Sequence, residues 1–279
     1  MTISIRPAQT VAEFRALEWL QSQIWGPVDV APVHILLTIA KEGGVVLIAF
    51  DGEEPVGFAY GFIGLAGDKV DAQGRRIKLA SHQAGVLPNY QDRGLGYELK
   101  LAQREATLAR HIDHITWTFD PLQGRNARFN LRKLGAVCHT YLPNLYGEMT
   151  DELNQGLPSD RFRVDWWLTT EHVTDRLAGR FVEPYLSPDC PVLNPAAVLE
   201  SNLPVPPDTF DLPVGDLCLV EIPADLSTLK QEVPDLALKW RLQTRDIFES
   251  AFATGYTAVD LLRREGRNYY LLQKDWQPK

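Results

Sequence analysis

The sequence contains little cysteine and no long apolar run. Only three of its 279 residues are cysteines, at positions 138, 190 and 218. They are too few and too scattered for a disulfide framework or a Cys-x-x-Cys metal site. The longest apolar run, Val45 to Phe50, is far shorter than the roughly 18 residues of a membrane-spanning helix. The first ten residues do not have the charge and apolar pattern of a signal peptide.

The chain also has no cluster of basic residues. It carries 28 Lys and Arg against 36 Asp and Glu, a formal charge of −8, whereas a dedicated nucleic-acid binder needs clustered positive charge to neutralise phosphates. Hydrophobic residues make up 45% and charged residues 23% of the chain, which excludes wholesale disorder. We therefore expect a soluble, cytoplasmic, mixed α/β protein with no nucleic-acid or membrane partner.

The apolar pattern of the first 150 residues predicts the element order β-α-α-β-β-β-α-β-α-β. Apolar residues between 10 and 25 recur at spacings of three and four, which indicates a helix. Two apolar runs around the turn 51–54 predict a hairpin. The polar turn Asp68–Gly74 leads into a strand ending at Val86, and a long helix is predicted from Gly94. A last apolar stretch follows at Val164–Leu168.

The remainder of the chain has a different character. Prolines crowd between residues 184 and 213, which indicates a loop-rich connector. A strand, a helix over about 233–253 and a hairpin then predict a β-α-β-β tail, which we interpret as a possible half-copy of residues 3–63. The expected organisation is a core over 1–168, a connector over 169–215 and an extension over 216–279.

One stretch, Val86-Leu-Pro-Asn-Tyr-Gln-Asp-Arg-Gly-Leu-Gly96, has the features of an anion site. Pro88 ends a strand, and a polar turn enters a helix directly. Gly94 and Gly96 lack a Cβ, so a ligand can approach the backbone at the first helical turn. Unpaired N–H groups and the helix dipole favour an anion such as a pyrophosphate there. The alternative is a glycine-containing turn without a ligand.

This stretch resembles the acyl-CoA signature of the GNAT superfamily of N-acyltransferases, V-x-P-x-x-[Q/R]-x-x-G-x-[G/A], with every specified position present. In that family the signature joins the fourth strand to the third helix, where the pattern also places it. Arg132–Gly135 supplies the K-L-G-like signal that is typical of a later helix end. The resemblance covers residues 3 to about 148. It implies a GNAT acyltransferase fold with a mixed sheet, here in a long bacterial form with a C-terminal β-α-β-β extension.

The resemblance implies an acyl-CoA cosubstrate, acetyl-CoA or succinyl-CoA, and no metal. Pantetheine would pair with the end of the fourth strand, which should splay from the next strand, and Gly85 suits a bulge there. Asn126 and Asn130 have an alternative role as helix-capping or exposed polar residues. The cofactor-binding residues implied are Ala84, Val86, Gln91, Asp92, Arg93, Gly94, Leu95, Gly96, Asn126 and Asn130.

Acyl transfer to an amine requires a base, because an ordinary ammonium has a pKa of about 10. His82 is the candidate, because it lies four residues before Val86 and so is expected on the same strand face. The alternative is a structural histidine. In the family a tyrosine protonates the departing thiolate, but Leu131 occupies that position here. Tyr141 or Tyr146 would substitute, or solvent would supply the proton.

Two further groups of side chains have both a binding and a structural interpretation. Arg161 or Arg163 can hold a substrate carboxylate, or they belong to a strand whose tryptophans fill the core. Arg241 and Arg245 share a helix face, and they either bind an acidic group or pair with Asp235 and Glu249.

The leading hypothesis is an acyl-CoA-dependent N-acyltransferase acting on a small amine, an amino acid being one option, by direct attack in a ternary complex. A backbone N–H near Val86 would polarise the thioester carbonyl. The alternative is a catalytically silent GNAT-like CoA-binding sensor or scaffold. A homodimer is compatible with either hypothesis.

Overall fold

The computed structural model describes residues 3–27, 30–66, 77–147, 156–198 and 203–278. The predicted turn Asp68–Gly74 lies outside these residues. The chain forms two compact units, Met1–Trp117 and Thr118–Lys279. This division falls inside a strand and precedes the boundary expected at residue 168. The expected organisation into core, connector and extension stays a prediction.

The first unit is a sheet with helices on both faces. Its strands follow the order β1-β2-β3-β4-β5, and every neighbouring pair is antiparallel except the parallel pair β4–β5. The elements are β1 (Ile3–Pro7), α1 (Val11–Trp25), α2 (Val33–Lys41), β2 (Val45–Asp51), β3 (Glu54–Leu65), β4 (Ile77–Val86), α3 (Leu95–Leu108) and β5 (His114–Phe119).

Helix α1 begins where the sequence provides a complete capping box. The Thr10 side chain accepts a hydrogen bond from the Glu13 backbone N–H, and the Glu13 carboxylate accepts one from the Thr10 N–H. Arg6 on β1 donates to the same carboxylate at 2.5 Å. This bond from Arg6 is the main reason that the pKa of Glu13 falls to about 2. The capping box therefore fixes the residue at which α1 begins after β1.

The two faces of this sheet are covered by different helices. Helices α1 and α2 cover one face, called the α1/α2 face, where Phe58 and Tyr60 of β3 are buried against Leu17 and Leu36. Helix α3 covers the other, called the α3 face, where its Leu95 and Leu99 pack with Ala49, Val56 and Ala59. Because side chains alternate along a strand, consecutive residues of β3 belong to opposite faces.

The second unit contains a sheet with the order β7-β6-β11-β12-β10, in which every described pair is antiparallel. A separate two-stranded sheet joins β8 to β9. The elements are α4 (Gly124–Ala127), which continues as a π-helical turn over Arg128–Lys133, β6 (Val137–Leu142), β7 (Arg161–Trp167), α5 (Glu171–Leu177), β8 (Ala197–Val198), β9 (Pro204–Val205), β10 (Leu217–Ile222), α6 (Leu226–Glu232), α7 (Pro234–Ala253), β11 (Tyr256–Arg264) and β12 (Arg267–Lys274).

The mixed α/β class and the element order of the first 150 residues are confirmed. The tail differs in one respect, because it has two helices, α6 and α7, where one was predicted. Val233 precedes Pro234, and a residue before proline is disfavoured in helical conformation, so the chain breaks there. The tail thus runs β-α-α-β-β, the order also found in β1 to β3. Its strand β11 joins β6 through Ala258 and Cys138, and the half-copy interpretation stays a hypothesis.

The core of the second unit is aromatic. Phe162 lies 4.7 Å from Phe248 and 5.2 Å from Tyr270 between ring centroids. Trp166 is fully buried and its indole N–H donates to the carbonyl oxygen of Leu134 at 2.7 Å. The interpretation of that tryptophan as a core residue is therefore correct. None of the helices in the described parts of the chain is long and apolar enough to cross a membrane.

Candidate active site

The loop between β4 and α3 is closed on itself by local hydrogen bonds. A 3₁₀ turn over Pro88–Tyr90 follows the strand, and the Gln91 backbone N–H donates to the Pro88 carbonyl at 3.2 Å. The Gln91 side-chain amide donates to the Val86 carbonyl at 3.1 Å. Gly94 then caps α3 with φ at +86°, a left-handed conformation that favours glycine.

Both glycines of the signature face open space. A Cβ added to Gly94 or Gly96 would meet no atom within 4 Å. The first-turn N–H groups of an α-helix, here those of residues 95 and 96, have no intrahelical acceptor and point out of the helix end. Arg93 is exposed beside them, and its guanidinium lies 5.4 Å from the centroid of the Tyr90 ring. The residues present therefore fit an anionic group such as a pyrophosphate.

Strands β4 and β5 pair only over a short stretch. The described register joins Leu79 to Ile115 and Ala80 to Thr116, yet β4 continues to Val86. The two strands thus separate as predicted. We call the resulting opening, bounded by residues 81–86 of β4 and by Trp117 of β5, the β4–β5 slot.

The bulge in β4 lies at His82, not at Gly85 as predicted. Tyr60 of β3 is opposite Gln83 and Gly61 is opposite Ser81, so His82 is the extra residue. Gly85 has a different reason to be glycine. A Cβ there would lie 2.8 Å from Ile24 Cδ1 of α1 and 3.0 Å from the Trp25 ring.

The bulge changes the face on which His82 lies. Tyr60, a residue of the α1/α2 face, contacts both His82, with ring centroids 5.5 Å apart, and Gln83, whose Oε1 accepts from the Tyr60 hydroxyl at 3.1 Å. Val86 packs on the α3 face. The prediction that His82 and Val86 share a face is therefore wrong, because the extra residue shifts the alternation by one.

The surroundings of His82 favour its neutral form. The ring centroid of Phe62 lies 6.0 Å from that of His82. The side chain is exposed as a whole, but its ring contacts remove part of its hydration, which lowers the pKa of His82 below the ordinary value. Neutral imidazole is the form that accepts a proton.

Sequence reasoning missed a buried lysine on α3. Lys100 is 4% exposed, and its Nζ donates to Gln103 Oε1 at 2.9 Å and to Ser81 Oγ at 3.2 Å. The same Nζ lies 3.8 Å from the centroid of the Trp117 ring. Burial lowers the pKa of Lys100 to about 7. The sequence does contain a signal for this burial. Lys100 and Gln103 lie within one helical turn of the apolar Leu99, so polar residues extend the apolar face of the helix.

The remaining predicted residues lie in the second unit. Asn126 is exposed and Asn130 is buried. The Tyr146 hydroxyl is 3.1 Å from Thr118 Oγ1. The Tyr141 hydroxyl donates to Asp160 at 2.7 Å, and burial raises the pKa of Tyr141. A hydroxyl that is committed to a buried carboxylate is a poor source of protons for a thiolate, although both tyrosines stay predictions for the general acid.

Two arginines of α7 pair with distant aspartates. Arg241 donates to Asp120 at 2.5 Å, and Arg245 binds Asp160 through two hydrogen bonds of 2.8 Å. The predicted pairing with Asp235 and Glu249 is therefore wrong. Arg161 donates to the Asp160 carbonyl at 2.9 Å.

The described residues include no group of three or more His, Cys, Asp or Glu side chains that could hold a metal ion. His139 Nδ1 lies 3.6 Å from an Asp165 oxygen.

No protein-family model and no curated protein matches the sequence. Solved structures match part of the chain. Arabidopsis thaliana NAA60 in complex with acetyl-CoA shares 17% identity, with a TM-score of 0.48 over 60% of this chain and 99% of that one. The ribosomal-protein-S18-alanine N-acetyltransferase from Escherichia coli shares 13%, with a TM-score of 0.46 over 67% of this chain and 99% of that one.

Proposed function

We propose that this protein is an acyl-CoA-dependent N-acyltransferase of the GNAT superfamily that transfers an acetyl or succinyl group to a small amine, with amino acids as the candidate class. The observation that carries the proposal is the position of the loop between β4 and α3, which has open space beside Gly94 and Gly96. It begins where β4 ends, so the anion site and the β4–β5 slot meet at Val86.

The first step is binding of the acyl-CoA along β4. The pyrophosphate would be held by backbone N–H groups within residues 91–96, of which that of Gln91 already donates to Pro88, with Arg93 as a charge partner. Beyond Ala80, β4 has no described register with β5. Backbone groups on that edge can therefore pair with the amides of pantetheine as a neighbouring strand would. This arrangement needs no positive net charge, which agrees with the acidic composition.

The second step is attack by the amine on the thioester carbonyl. The glycine loop leads into α3, and this helix covers the α3 face of the sheet. His82 lies on the opposite, α1/α2 face. The acyl-CoA would thus enter from the α3 side of the sheet and the amine from the opposite side. His82 would accept the ammonium proton, directly or through water, because its lowered pKa keeps it neutral near pH 7. The amine nitrogen would then form the amide as the carbon–sulfur bond breaks.

One observation favours the alternative of a silent CoA-binding sensor or scaffold. Leu131, which stands where the family has a proton-donating tyrosine, is fully buried in the second unit. A leucine cannot donate a proton, so the reaction requires a different donor. If no such donor exists, acyl-CoA would bind without turnover.

The test is release of CoA thiol from acetyl-CoA and from succinyl-CoA with a panel of amino acids and other small amines. We expect release that depends on the amine. Gly94→Glu should abolish both acyl-CoA binding and turnover, because a carboxylate at the loop repels the pyrophosphate. Gly52→Glu is the matched control, since Gly52 also has a positive φ of 61° and open space around it.

Three outcomes separate the hypotheses. Amine-dependent thiol release that is lost in Gly94→Glu alone supports the enzyme. Tight CoA binding with no release for any amine supports the sensor. Unchanged acyl-CoA binding in Gly94→Glu shows that the loop is not the pyrophosphate site.

A further inference from the structure

The buried polar cluster at the inner end of the slot consists of Ser81, Lys100, Gln103 and Trp117, and we call it the Lys100 cluster. We propose that Lys100, acting through the hydroxyl of Ser81, supplies the proton that the departing CoA thiolate takes up. The inference rests on the proposed function and assigns the acid that the leucine at position 131 cannot provide.

The cluster lies at the point where β4 and β5 part. Ser81 is the residue after Ala80, the last β4 position paired with β5, and Trp117 is the residue after Thr116, its counterpart. Lys100 contacts both of them from α3. Val86 lies five positions after Ser81 on β4, a length of about 16 Å along a strand. A pantetheine arm that starts at the glycine loop and runs along this edge brings its sulfur end towards Ser81.

A purely structural role does not account for a lysine at this position. Leu95 and Leu99 pack α3 on the sheet with apolar side chains, and the other buried polar residues of the helix, Gln103 and Thr107, are uncharged. Burying an ammonium carries a desolvation cost that an apolar side chain of the same length avoids. Two hydrogen bonds and the Trp117 ring offset part of that cost. They hold the ammonium in place while its pKa, lowered to about 7, leaves it ready to give up a proton.

Two other titratable residues lie near Lys100 along α3. Tyr97 and Arg104, three and four residues away, are its neighbours on that helix. From β4 it faces Ser81, and His82 lies on the opposite face. The β3 residue opposite Ser81 is Gly61, and β5 presents Trp117. The lysine is therefore an ionisable group in direct hydrogen-bond contact with the Ser81 hydroxyl.

The proton transfer balances without a further reactant. Lys100 donates to Ser81 Oγ, and the Ser81 hydroxyl, which now contacts Gln103 Oε1 at 2.9 Å, turns to the sulfur as the carbon–sulfur bond breaks. The thiolate receives the hydroxyl proton and Ser81 receives one from Lys100. The ammonium substrate loses two protons in forming the amide. One leaves through His82 to solvent, and the other restores the proton that Lys100 gave up.

Transfer in this direction is downhill. A thiol has an ordinary pKa of about 8.5, above the value of about 7 to which burial brings Lys100. General acid catalysis of this kind contributes about 10²- to 10⁴-fold to a rate. Because consecutive residues of a strand point to opposite faces, Ser81 and His82 would place the acid and the base on the two sides of one slot.

The experiment measures kcat against pH at saturating acyl-CoA and amine for the wild type and for Lys100→Met, Lys100→Arg and Ser81→Ala. We expect kcat of the wild type to fall above about pH 7 as Lys100 loses its proton. Lys100→Met should lower kcat about a hundredfold and remove this alkaline decline. Lys100→Arg should not rescue the rate, because guanidinium does not release its proton. Ser81→Ala should lower kcat about tenfold, with water taking the place of the hydroxyl.

Lys41→Met, at an exposed lysine of the same unit, is the matched control and should leave kcat unchanged. The Kd for acyl-CoA and the thermal unfolding transition distinguish a loss of chemistry from a loss of structure. Lys100→Met should still bind acyl-CoA and should still unfold cooperatively. An active wild type whose Lys100→Met variant keeps its kcat and its alkaline decline would overturn the inference. A wild type with no amine-dependent turnover would instead contradict the proposed function.

Discussion

The side-chain amide of Gln91 donates a hydrogen bond to the backbone carbonyl of Val86, 3.1 Å away. This bond spans the turn between the end of β4 and the loop that begins α3. Gln91 stays a predicted cofactor-binding residue, and its side chain also shapes the loop from within. Its backbone N–H also donates to Pro88. The glutamine therefore holds the glycines of the signature in their position beside the strand end.

We expect Gln91→Ala to raise the Kd for acetyl-CoA about fivefold, the effect of losing one neutral hydrogen bond worth about 1 kcal/mol. Isothermal titration measures the change. Asn89→Ala, at an exposed neighbour in the same turn, should leave the Kd within error. Equal effects of the two substitutions would show that the bond to Val86 does not organise the loop.

Substitution by alanine should change the stability of the protein in opposite directions at two glycines that are close in sequence. Gly85→Ala places a Cβ 2.8 Å from Ile24 Cδ1, so we expect the free energy of unfolding to fall by about 1–3 kcal/mol. Gly96→Ala adds a methyl group in open space within a helix and should raise stability by up to about 1 kcal/mol. Chemical denaturation of both variants tests the contrast. A loss of stability in Gly96→Ala would contradict it.

Lys100 should make stability depend on alkaline pH. Its pKa is about 7 in the folded protein and 10.5 ordinarily. Between these values the unfolded chain holds the proton and the folded protein does not, so raising the pH stabilises the fold. We expect the free energy of unfolding to rise by up to about 1.4 kcal/mol per pH unit from pH 7 to 10 relative to Lys100→Met. If the difference in free energy of unfolding between the wild type and Lys100→Met does not change with pH, this prediction is refuted.

The buried carboxylate of Asp160 should be far more important for stability than an exposed one. It is fully buried and accepts hydrogen bonds from Tyr141 and Arg245. We expect Asp160→Asn to lower the free energy of unfolding by about 3–5 kcal/mol, because it leaves a partly buried guanidinium without its counter-charge. Asp175→Asn breaks the exposed pair with Arg180 and should cost at most about 1 kcal/mol. Urea denaturation compares the two variants directly.

Features of the site that depend on local chain geometry were predictable. Pro88 was predicted to end a strand and a long helix was predicted to follow Gly94, and the structure has both. Features that depend on pairing between strands were not. The bulge at His82 exists only in the register with β3, and a one-residue slip moves a side chain to the other face of a sheet.

The same division applies to the charged residues. Spacing along α7 correctly indicated that Arg241 and Arg245 share a face, but not which acids they meet. Their partners, Asp120 and Asp160, are 121 and 85 residues away. Helical spacing describes only neighbours on the same helix, so pairing over such separations requires the folded chain.

The scarcity of cysteine, basic clusters and long apolar runs determined by itself which classes of protein were excluded, and the glycine signature predicted where an anion can bind. Both follow from residue chemistry that does not depend on distant neighbours. Tertiary structure alone decided the face of His82 and the burial of Lys100. Face and burial are set by what a residue packs against, and in this chain those neighbours come from other strands and helices.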